Sequence, residues 1–228
     1  MQENRSIDIG ARLQSALPYI TPGGCVADIG TDHAYLPIHL VREGMISHAV
    51  ACDINEGPIE SARMHIAAAG FSDRIDTLLT DGLHGVEQYS PDDILIFGMG
   101  GELIVKILSE APWIKNERIG LILQPMSRAS VLRRWLCENG FLITGETLSF
   151  EDKYYQTLVA RYTGKTEHYT ETELAVGRLN IGARPPLFDG FVRHEIEVLN
   201  KILVGKSKSE NADTAAEKQM KRNLEELL

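Results

Sequence analysis

The feature of this sequence that most constrains its fold is a regular alternation of short β-like apolar runs with helix-like segments. This order is typical of a parallel sheet whose strands are joined by crossover helices. The predicted strands are residues 25–29, 49–53, 75–80, 94–97, 120–124, 141–148 and 156–162, with helices at 36–43, 58–69, 102–109 and 130–139. We expect the last two strands to pair antiparallel. An amphipathic helix is predicted ahead of the first strand, because Ile9, Leu13 and Leu17 recur every four residues.

The alternation ends at Gly164, and two apolar stripes at helical spacing follow it. The first stripe contains Phe188, Val192, Ile196, Leu199 and Leu203, and the second, weaker stripe contains Ala212, Ala216, Met220, Leu224 and Leu227. A polar break at residues 205–211 separates them. We therefore predict an α/β domain at residues 1–164 and a helical domain at residues 165–228 that forms a coiled-coil-like hairpin.

Composition limits the location and the partners of the chain. Its 228 residues carry a net charge of −9, which argues against indiscriminate nucleic-acid binding, so any RNA contact needs a local basic surface. Cys25, Cys52 and Cys137 lack metal-ligand spacing, and we expect free thiols in a reducing cytoplasm and no metal site. The N-terminus does not resemble a signal peptide, and the longest apolar runs are too short to span a membrane.

The turn after the first predicted strand carries the most informative residues. In dinucleotide-binding proteins this turn holds a Gly-x-Gly-x-x-Gly motif, whose backbone amides receive a pyrophosphate. Only Gly30 is present here, and Asp32 lies in the turn. A carboxylate would repel a pyrophosphate and would suit a phosphate-free ligand with cationic centres, such as S-adenosylmethionine. An equally strong alternative is that Asp32 only caps the following helix.

Two further acids favour the ligand. Asp53 ends the second predicted strand, 25 residues after Asp28, and Asp81 ends the third, 28 residues later. The first can accept hydrogen bonds from ribose hydroxyls, and the second can accept one from an adenine amine. Each acid alone is more often a turn or cap residue. Together, at neighbouring strand ends, they predict an adenosine-bearing ligand in the crevice where the strand order reverses.

The glycines at residues 98–101 follow the fourth predicted strand. Many enzymes that methylate amines carry an Asp or Asn, two prolines and an aromatic residue here, and this chain lacks that motif. Glycines allow a ligand to approach the backbone closely, so we expect Gly98 to lie beside the cofactor. The alternative is a tight strand-to-helix turn with Glu102 favourably placed at the helix start.

These stretches resemble a known family, the bacterial tRNA (adenine-22-N1)-methyltransferases. The matching residues are 26–37, 51–55, 80–83, 98–101, 124–126 and 151–155, within a resemblance that covers residues 5–162 and is followed by a helical tail as in that family. The resemblance implies a seven-stranded Rossmann-like methyltransferase sheet, S-adenosylmethionine as cofactor, and methyl transfer to N1 of adenine 22 in tRNA. The predicted cofactor site comprises Asp28, Gly30, Asp32, Asp53, Ile54, Asp81, Gly82 and Gly98.

The implied reaction needs little acid–base chemistry. Adenine N1 already carries a lone pair, so no general base is required, and alignment and exclusion of water become the main tasks. The product ring is cationic, and a nearby carboxylate would stabilise it. We predict Asp32 and the adjacent His33 as catalytic residues, with Glu102 in reserve. For His33, a polar contact at the helix start is at least as good an explanation.

Contacts to RNA are predicted from aromatic and basic side chains. The candidates for stacking on an extruded base are Tyr35, Phe150, Tyr154 and Tyr155. The candidates for phosphate contacts are Arg128, Arg133, Arg134, Lys153, Lys201, Lys206 and Lys208. For any one of them, a core aromatic or a solvated helix face is the better explanation. The hairpin could recognise tRNA or form a homodimer, so a monomer and a homodimer both stay open.

Two other functions compete with tRNA methylation. The same cofactor turn would serve a methyltransferase that acts on a small molecule or a protein. A non-enzymatic adapter could also bind the cofactor in the sheet and a partner on the hairpin. The tail favours the tRNA enzyme over the small-molecule enzyme, because small-molecule methyltransferases more often place a lid over the site.

Overall fold

The computed structural model describes residues 9–207 and 213–228, which form a seven-stranded mixed sheet flanked by helices. The strands are β1 (Cys25–Ile29), β2 (His48–Asp53), β3 (Ile75–Leu79), β4 (Asp93–Met99), β5 (Gly120–Pro125), β6 (Phe141–Phe150) and β7 (Tyr154–Tyr162). The helices are α1 (Gly10–Gln14), α2 (Tyr35–Arg42), α3 (Glu56–Ala69), α4 (Gly101–Ser109), α5 (Ala129–Glu138), α6 (Glu171–Val176), α7 (Arg178–Ala183), α8 (Phe188–Lys206) and α9 (Ala215–Glu225).

The strand order is β3-β2-β1-β4-β5-β7-β6. The first five strands are parallel, and β7 pairs antiparallel with both β5 and β6. The order reverses between β1 and β4, which creates a crevice at the carboxyl ends of these two strands. Both faces of the sheet are covered by apolar clusters, so the central strands are almost continuously hydrophobic. The fold class predicted from the sequence is confirmed.

The N-terminal helix is shorter than the sequence pattern predicts. Helix α1 covers only Gly10–Gln14, and a single 3-10 turn follows at Leu17–Tyr19. Pro18 lies in that turn, and a proline disfavours the α conformation of the residue before it. The predicted apolar stripe thus extends from α1 into the 3-10 turn, because Leu17 lies in that turn and not in the α-helix.

The tail forms the predicted hairpin from α8 and α9, which pack against each other. Helix α8 continues through Gly205 to Lys206, past the start of the predicted polar break, and residues 208–212 lie outside the described part of the chain. Helices α6 and α7 are not among the elements predicted from the sequence. Thr170 and Glu173 form a capping box at the start of α6, so the spacing Thr-x-x-Glu was the signal that could have revealed it.

The hairpin is anchored to the sheet by its own apolar cluster. The buried members of this cluster are Leu148 of β6, Val176 of α6, Phe188, Phe191 and Val192 of α8, and Leu224 of α9. Much of the predicted apolar stripe of α8 is therefore covered by other parts of the same chain. Within residues 9–207 and 213–228, no helix combines the length and the apolar composition needed to cross a bilayer.

Candidate active site

A cavity of about 420 Å³ opens at the crevice between the carboxyl ends of β1 and β4. It brings together six of the predicted site residues from β1, the turn after it, β2 and β4. These residues are Asp28, Gly30, Asp32, His33, Asp53 and Gly98. Arg12, Thr31, Tyr35 and Met99 also line the cavity. The acids at the ends of β1 and β2 therefore face one shared space, whereas Asp81 after β3, which the sequence predicts beside them, does not line it.

The turn after β1 uses its own amides inside the protein. The N–H groups of Gly30 and Thr31 both donate to the carbonyl of Cys52, at 2.8 and 2.9 Å. Gly30 takes the place of the first glycine of a dinucleotide-binding motif, which makes the tight turn, and Asp32 stands where the second glycine would let a pyrophosphate approach the backbone. Gly30 has a φ of +79°, a left-handed conformation that favours glycine. The turn is thus built around the carbonyl of Cys52 on β2, while the side chains of Asp32 and His33 reach the cavity wall.

Asp32 stands at the mouth of the cavity. Its side chain is 81% exposed, and its carboxylate lies 3.4 Å from Nε2 of His33. Helix α2 has Ala34 at its N-cap and receives no capping hydrogen bond from a side chain. The alternative explanation, that Asp32 caps the helix, is therefore not what the structure shows. This carboxylate remains available to a ligand.

Asp28 lies deeper than Asp32. Burial raises the pKa of the Asp28 carboxyl to about 6, and the neighbouring carboxylate of Asp53 also raises it. A hydrogen bond from Thr31 and the positive charge of Arg12 act in the opposite direction. Asp53 accepts hydrogen bonds from N and Nδ2 of Asn55 at 2.7 and 3.1 Å, so it is a turn residue as well as part of the cavity wall.

Arg12 brings a positive charge to the cavity wall, and it is not among the site residues predicted from the sequence. Its backbone N–H donates to Glu151 Oε1 at 2.8 Å, and its Nη1 donates to Gln124 Oε1 at 3.4 Å. Gln124 is fully buried and also donates to Thr157 Oγ1 at 3.0 Å. These contacts hold α1 against β5 and β7 across long sequence separations, which no local spacing could have indicated.

His33 belongs to a small cluster of rings beside the cavity. Its Nδ1 lies 2.6 Å from Ser61 Oγ of α3. The ring centroids of Tyr35 and His65 both lie 5.1 Å from that of His33. The polar contact that was offered as an alternative role for His33 is therefore present. Tyr35 is 40% exposed, so part of its ring is open to a base.

The remaining predicted site residues lie outside the cavity wall. Ile54 is 59% exposed, and Asp81 is exposed after the end of β3. A Cβ on Gly82 would contact Ile107 of α4 at 3.2 Å. Glu102 lies 4.0 Å from Arg128, and both side chains are largely exposed. The roles predicted for these residues stay predictions.

The glycines after β4 serve two purposes. Gly98 has a φ of +81°, interrupts the pairing of β4 with β5, and lines the cavity. Gly101 instead permits contact between two turns, because a Cβ there would lie 2.4 Å from the carbonyl oxygen of Arg128. Close approach to the cavity and a tight strand-to-helix turn are therefore both realised, at different glycines.

A second cavity, which we call the tail groove, lies between the sheet and α8 and has a volume of about 500 Å³. One wall contains residues 125–130 and the turn between β6 and β7, and the other is formed mainly by α8. The N–H of Met126 in the groove donates to the carbonyl of Met99 in the first cavity at 2.8 Å. The two cavities are thus neighbours at the carboxyl ends of the parallel strands.

The tail groove is lined by charged and aromatic side chains. Arg128 and Lys153 bring positive charge, and Tyr154 and His194 bring rings whose centroids lie 5.6 Å apart. Burial raises the pKa of the Glu195 carboxyl above its usual range, although the charges of His194 and Arg133 act against this shift. The groove therefore offers cations, rings and one partly desolvated carboxylate.

The structure corrects two of the predicted RNA contacts. Arg133 is fully buried and bonded to Glu146, so it neither contacts phosphate nor lies on a solvated helix face. Tyr155 is only 7% exposed, and its hydroxyl donates to Asp152 at 2.7 Å, which leaves little ring surface for a base. Both lie on the faces of their elements that the rest of the chain covers.

The other basic candidates differ in their surroundings. Arg128, Lys153 and Lys201 are exposed. Arg134 pairs with Glu171 at 2.7 Å, and Lys206 pairs with Glu217. Lys208 lies outside the described residues. Phe150 is 48% exposed and packs against Tyr154 with a centroid distance of 4.9 Å.

The strand order and a carboxylate-lined cavity at the switch point define the class of this protein, a Rossmann-like methyltransferase that uses S-adenosylmethionine. The profile of the tRNA (adenine(22)-N(1))-methyltransferase family matches residues 26–227, and the chain belongs to this family. The enzyme class, the cofactor and the methylation of N1 of adenine 22 in tRNA, which the resemblance implied, are confirmed at the level of the family.

Individual relatives agree with this assignment. A Bacillus subtilis (strain 168) protein named tRNA (adenine(22)-N(1))-methyltransferase is 36% identical over 174 residues, which cover 76% of this chain and 73% of the relative. A solved Streptococcus pneumoniae structure in complex with S-adenosyl-L-methionine has a TM-score of 0.85 at 32% identity and covers 96% of this chain and 99% of its own. A structure from M. capricolum in complex with S-adenosyl-homocysteine has a TM-score of 0.78 at 28% identity, covering 96% of each chain.

Proposed function

We propose that the cavity between β1 and β4 is the S-adenosylmethionine site of this enzyme and that Asp32 acts on the target adenine at its mouth. The observation that carries the proposal is the chemistry of the wall. Asp28, Asp32 and Asp53 line the cavity, and the amides of Gly30 and Thr31 are bound to Cys52. Such a wall disfavours a pyrophosphate and favours a ligand with ammonium and sulfonium charges, so the residues present fit the cofactor.

The chain's residues divide the work of holding the cofactor. Asp53, at the end of β2, is the acceptor for the ribose hydroxyls, as in nucleotide-binding folds generally. Asp28 supplies negative charge to the cationic part, and Arg12 supplies the matching cation for the carboxylate. Asp81 and Gly82, with Ile54, are retained as the predicted contacts to the adenine end, on the same edge of the sheet.

Bound S-adenosylmethionine supplies an electrophilic methyl group. Because adenine N1 already has a lone pair, no side chain has to remove a proton before the methyl carbon is attacked. The protein aligns the base, excludes water and stabilises the positive charge that forms on the ring. Asp32 is placed for the last task by its exposure at the cavity mouth. His33, held by Ser61, fixes the position of the turn that carries Asp32.

The tail groove is our candidate for the surface that binds tRNA next to the methylation site. It adjoins the cofactor cavity through the hydrogen bond between Met126 and Met99. Arg128 and Lys153 can contact phosphates there, and Tyr154 is a partly exposed ring in the wall. A chain with a net charge of −9 needs such a local cationic surface to hold RNA.

We further propose that the enzyme works as a monomer in the cytoplasm. The apolar stripe of α8, which could have formed a homodimer, packs largely against β6 and α9 of its own chain. All three cysteines are free, which suits a reducing compartment. Size-exclusion chromatography with light scattering tests the first point, and a mass of two chains at micromolar concentration would refute it.

The decisive experiment follows labelled methyl groups from S-adenosylmethionine into two tRNA transcripts that differ only in having adenine or guanine at position 22. We expect labelling of the adenine transcript only. Calorimetry on Asp53→Ala in parallel should show weaker cofactor binding. Full cofactor affinity in that variant would remove Asp53 from the proposed site, whereas equal labelling of both transcripts would remove the proposed target.

A further inference from the structure

The most unusual buried group outside the cofactor cavity is the guanidinium of Arg133 on α5. Its side chain and that of Glu146 are both 0% exposed, and Nε donates to Glu146 Oε1 at 2.6 Å. Its Nη1 donates to the carbonyls of Leu174 and Ala175 at 2.9 and 3.3 Å. These carbonyls belong to the last turn of α6, where helical carbonyls lack partners and a cation is favourable.

Glu146 on β6 completes the arrangement from the other side. Its second oxygen accepts the N–H of Leu179, in the first turn of α7, at 2.8 Å. Gly177 joins the two helices with a φ of +92°, and a Cβ there would lie 2.5 Å from both oxygens of Glu146. One ion pair thus binds the end of α6 and the start of α7 to α5 and β6 of the sheet.

The same ion pair lies directly behind the tail groove. Arg133 Nη2 donates to Gln156 Oε1 at 2.8 Å, and both Gln156 and Ala175 line the groove. Helix α7 ends at Ala183 and α8 begins at Phe188, after a short connection that contains Pro185. Prolines restrict the backbone, so a displacement of α7 is passed on to α8, which forms the opposite wall.

We propose that Arg133 and Glu146 are positioning residues for tRNA methylation: their ion pair sets the place of α8 and thereby the width of the tail groove. This inference rests on the proposal that the groove binds tRNA. Neither residue lines the cavity between β1 and β4, whereas Gln156 and Ala175, which both accept hydrogen bonds from Arg133, line the tail groove. A buried ion pair contributes little net stability compared with apolar packing, and this one joins α5, β6, α6 and α7, which is why we assign it a positioning role.

The test compares Arg133→Met with Arg134→Met. Both arginines lie on α5 and both contact the α6 region, but Arg134 makes an exposed ion pair with Glu171. We expect Arg133→Met to raise the KM for tRNA by about tenfold or more while the Kd of S-adenosylmethionine changes by less than about twofold. Arg134→Met should change the Kd of S-adenosylmethionine by less than about twofold and should raise the KM for tRNA clearly less than Arg133→Met does, because it removes only an exposed charge.

Hydrogen exchange directly measures how firmly α6 and α7 are held against α5 and β6. In Arg133→Met, the amides of residues 171–183 should exchange faster, and those of β1 and β4 should keep their rates. If Arg133→Met alone does not fold, the double variant Arg133→Met with Glu146→Gln is scored by the same criteria, since it leaves no unpaired charge inside the protein.

Two results would overturn the inference. An unchanged KM for tRNA despite faster exchange of residues 171–183 would reduce the pair to a stabilising role. A parallel loss of cofactor affinity would show an effect on the whole fold. The proposal that the groove binds tRNA is tested separately with the double variant Arg128→Ala and Lys153→Ala, which leaves the ion pair intact. A normal KM for tRNA in this variant would refute that proposal.

Discussion

The side chain of Met99 lies directly against the α-carbon of Gly30, so that a Cβ on Gly30 would stand 2.3 Å from Met99 Cε. This contact joins the turn after β1 to the end of β4 across the cofactor cavity. A side chain at this position would have to displace the end of Met99, which lines the cavity, and it would also have to adopt a left-handed backbone conformation.

Gly30→Ala should weaken cofactor binding by about tenfold or more, because the methyl group strains a left-handed residue and pushes Met99 into the cavity. Calorimetry with S-adenosylmethionine measures the effect. Gly23→Ala is a matched control, since Gly23 has a φ of +72° but its Cβ would meet nothing within 4 Å. We expect both variants to lose a similar amount of stability. Only Gly30→Ala should also lose affinity for S-adenosylmethionine. Equal affinities would refute the role of the contact.

Asp32→Ala should lower the methyl-transfer rate by about a hundredfold, the scale seen when one charge-stabilising group is lost. Because the side chain is 81% exposed, the free energy of unfolding should change by less than about 0.5 kcal/mol. Single-turnover measurements with tRNA isolate the chemical step. Asp73→Ala, an exposed acid between α3 and β3, serves as the control. A near-normal rate in Asp32→Ala would eliminate the catalytic role.

Asp28 should make cofactor binding depend on pH. Its pKa in the folded protein is about 6, and the ionised form attracts a cationic ligand. The affinity for S-adenosylmethionine should therefore rise as the pH increases from 5 to 7, by about tenfold in total. Asp28→Asn should bind more weakly and lose most of this dependence. A wild-type affinity that is constant over this range would contradict the prediction.

The Asp28 carboxyl should also make the free energy of unfolding depend on pH, and this dependence runs opposite to that of cofactor affinity. The pKa of about 6 lies above the ordinary 3.8, so the folded chain binds this proton more tightly than the unfolded chain. Its contribution favours folding as the pH falls from 6 towards 4 and is unfavourable at neutral pH. Asp28→Asn should therefore stabilise the cofactor-free protein at pH 7 by about 1–3 kcal/mol, measured by urea unfolding. A less stable variant would contradict this.

Arg128→Ala combined with Lys153→Ala should weaken tRNA binding for all substrates and reduce the slope of log affinity against log salt by about 1–2. The cofactor affinity should stay unchanged. Lys115→Ala is the control, because this exposed lysine precedes the amino end of β5 and the groove lies beyond its carboxyl end. An unaltered salt dependence would remove both residues from the RNA surface.

The sheet could be predicted from the sequence because its central strands are buried on both faces and leave continuous apolar runs. An acid-lined cavity at this position could be predicted because Asp28 and Asp53 lie at strand ends that the topology brings together, whereas Asp81 lies outside its wall. Arg12 could not be predicted, since its contacts to Glu151 and Gln124 are distant in the sequence. Nor could the burial of Arg133, because Arg133 and Arg134 are identical residues on one helix and only their tertiary partners distinguish them.

The direction of β7 has a consequence for how the tail could change. Because β7 is antiparallel to β5, the chain leaves the sheet beside Gly120, at the amino end of β5 and away from the cavity between β1 and β4. Residues 163–187, which include α6 and α7, therefore have to return along α5 before α8 can begin beside the tail groove. A change in the length of this return would therefore displace α8 relative to the groove even if every residue of α8 stayed the same.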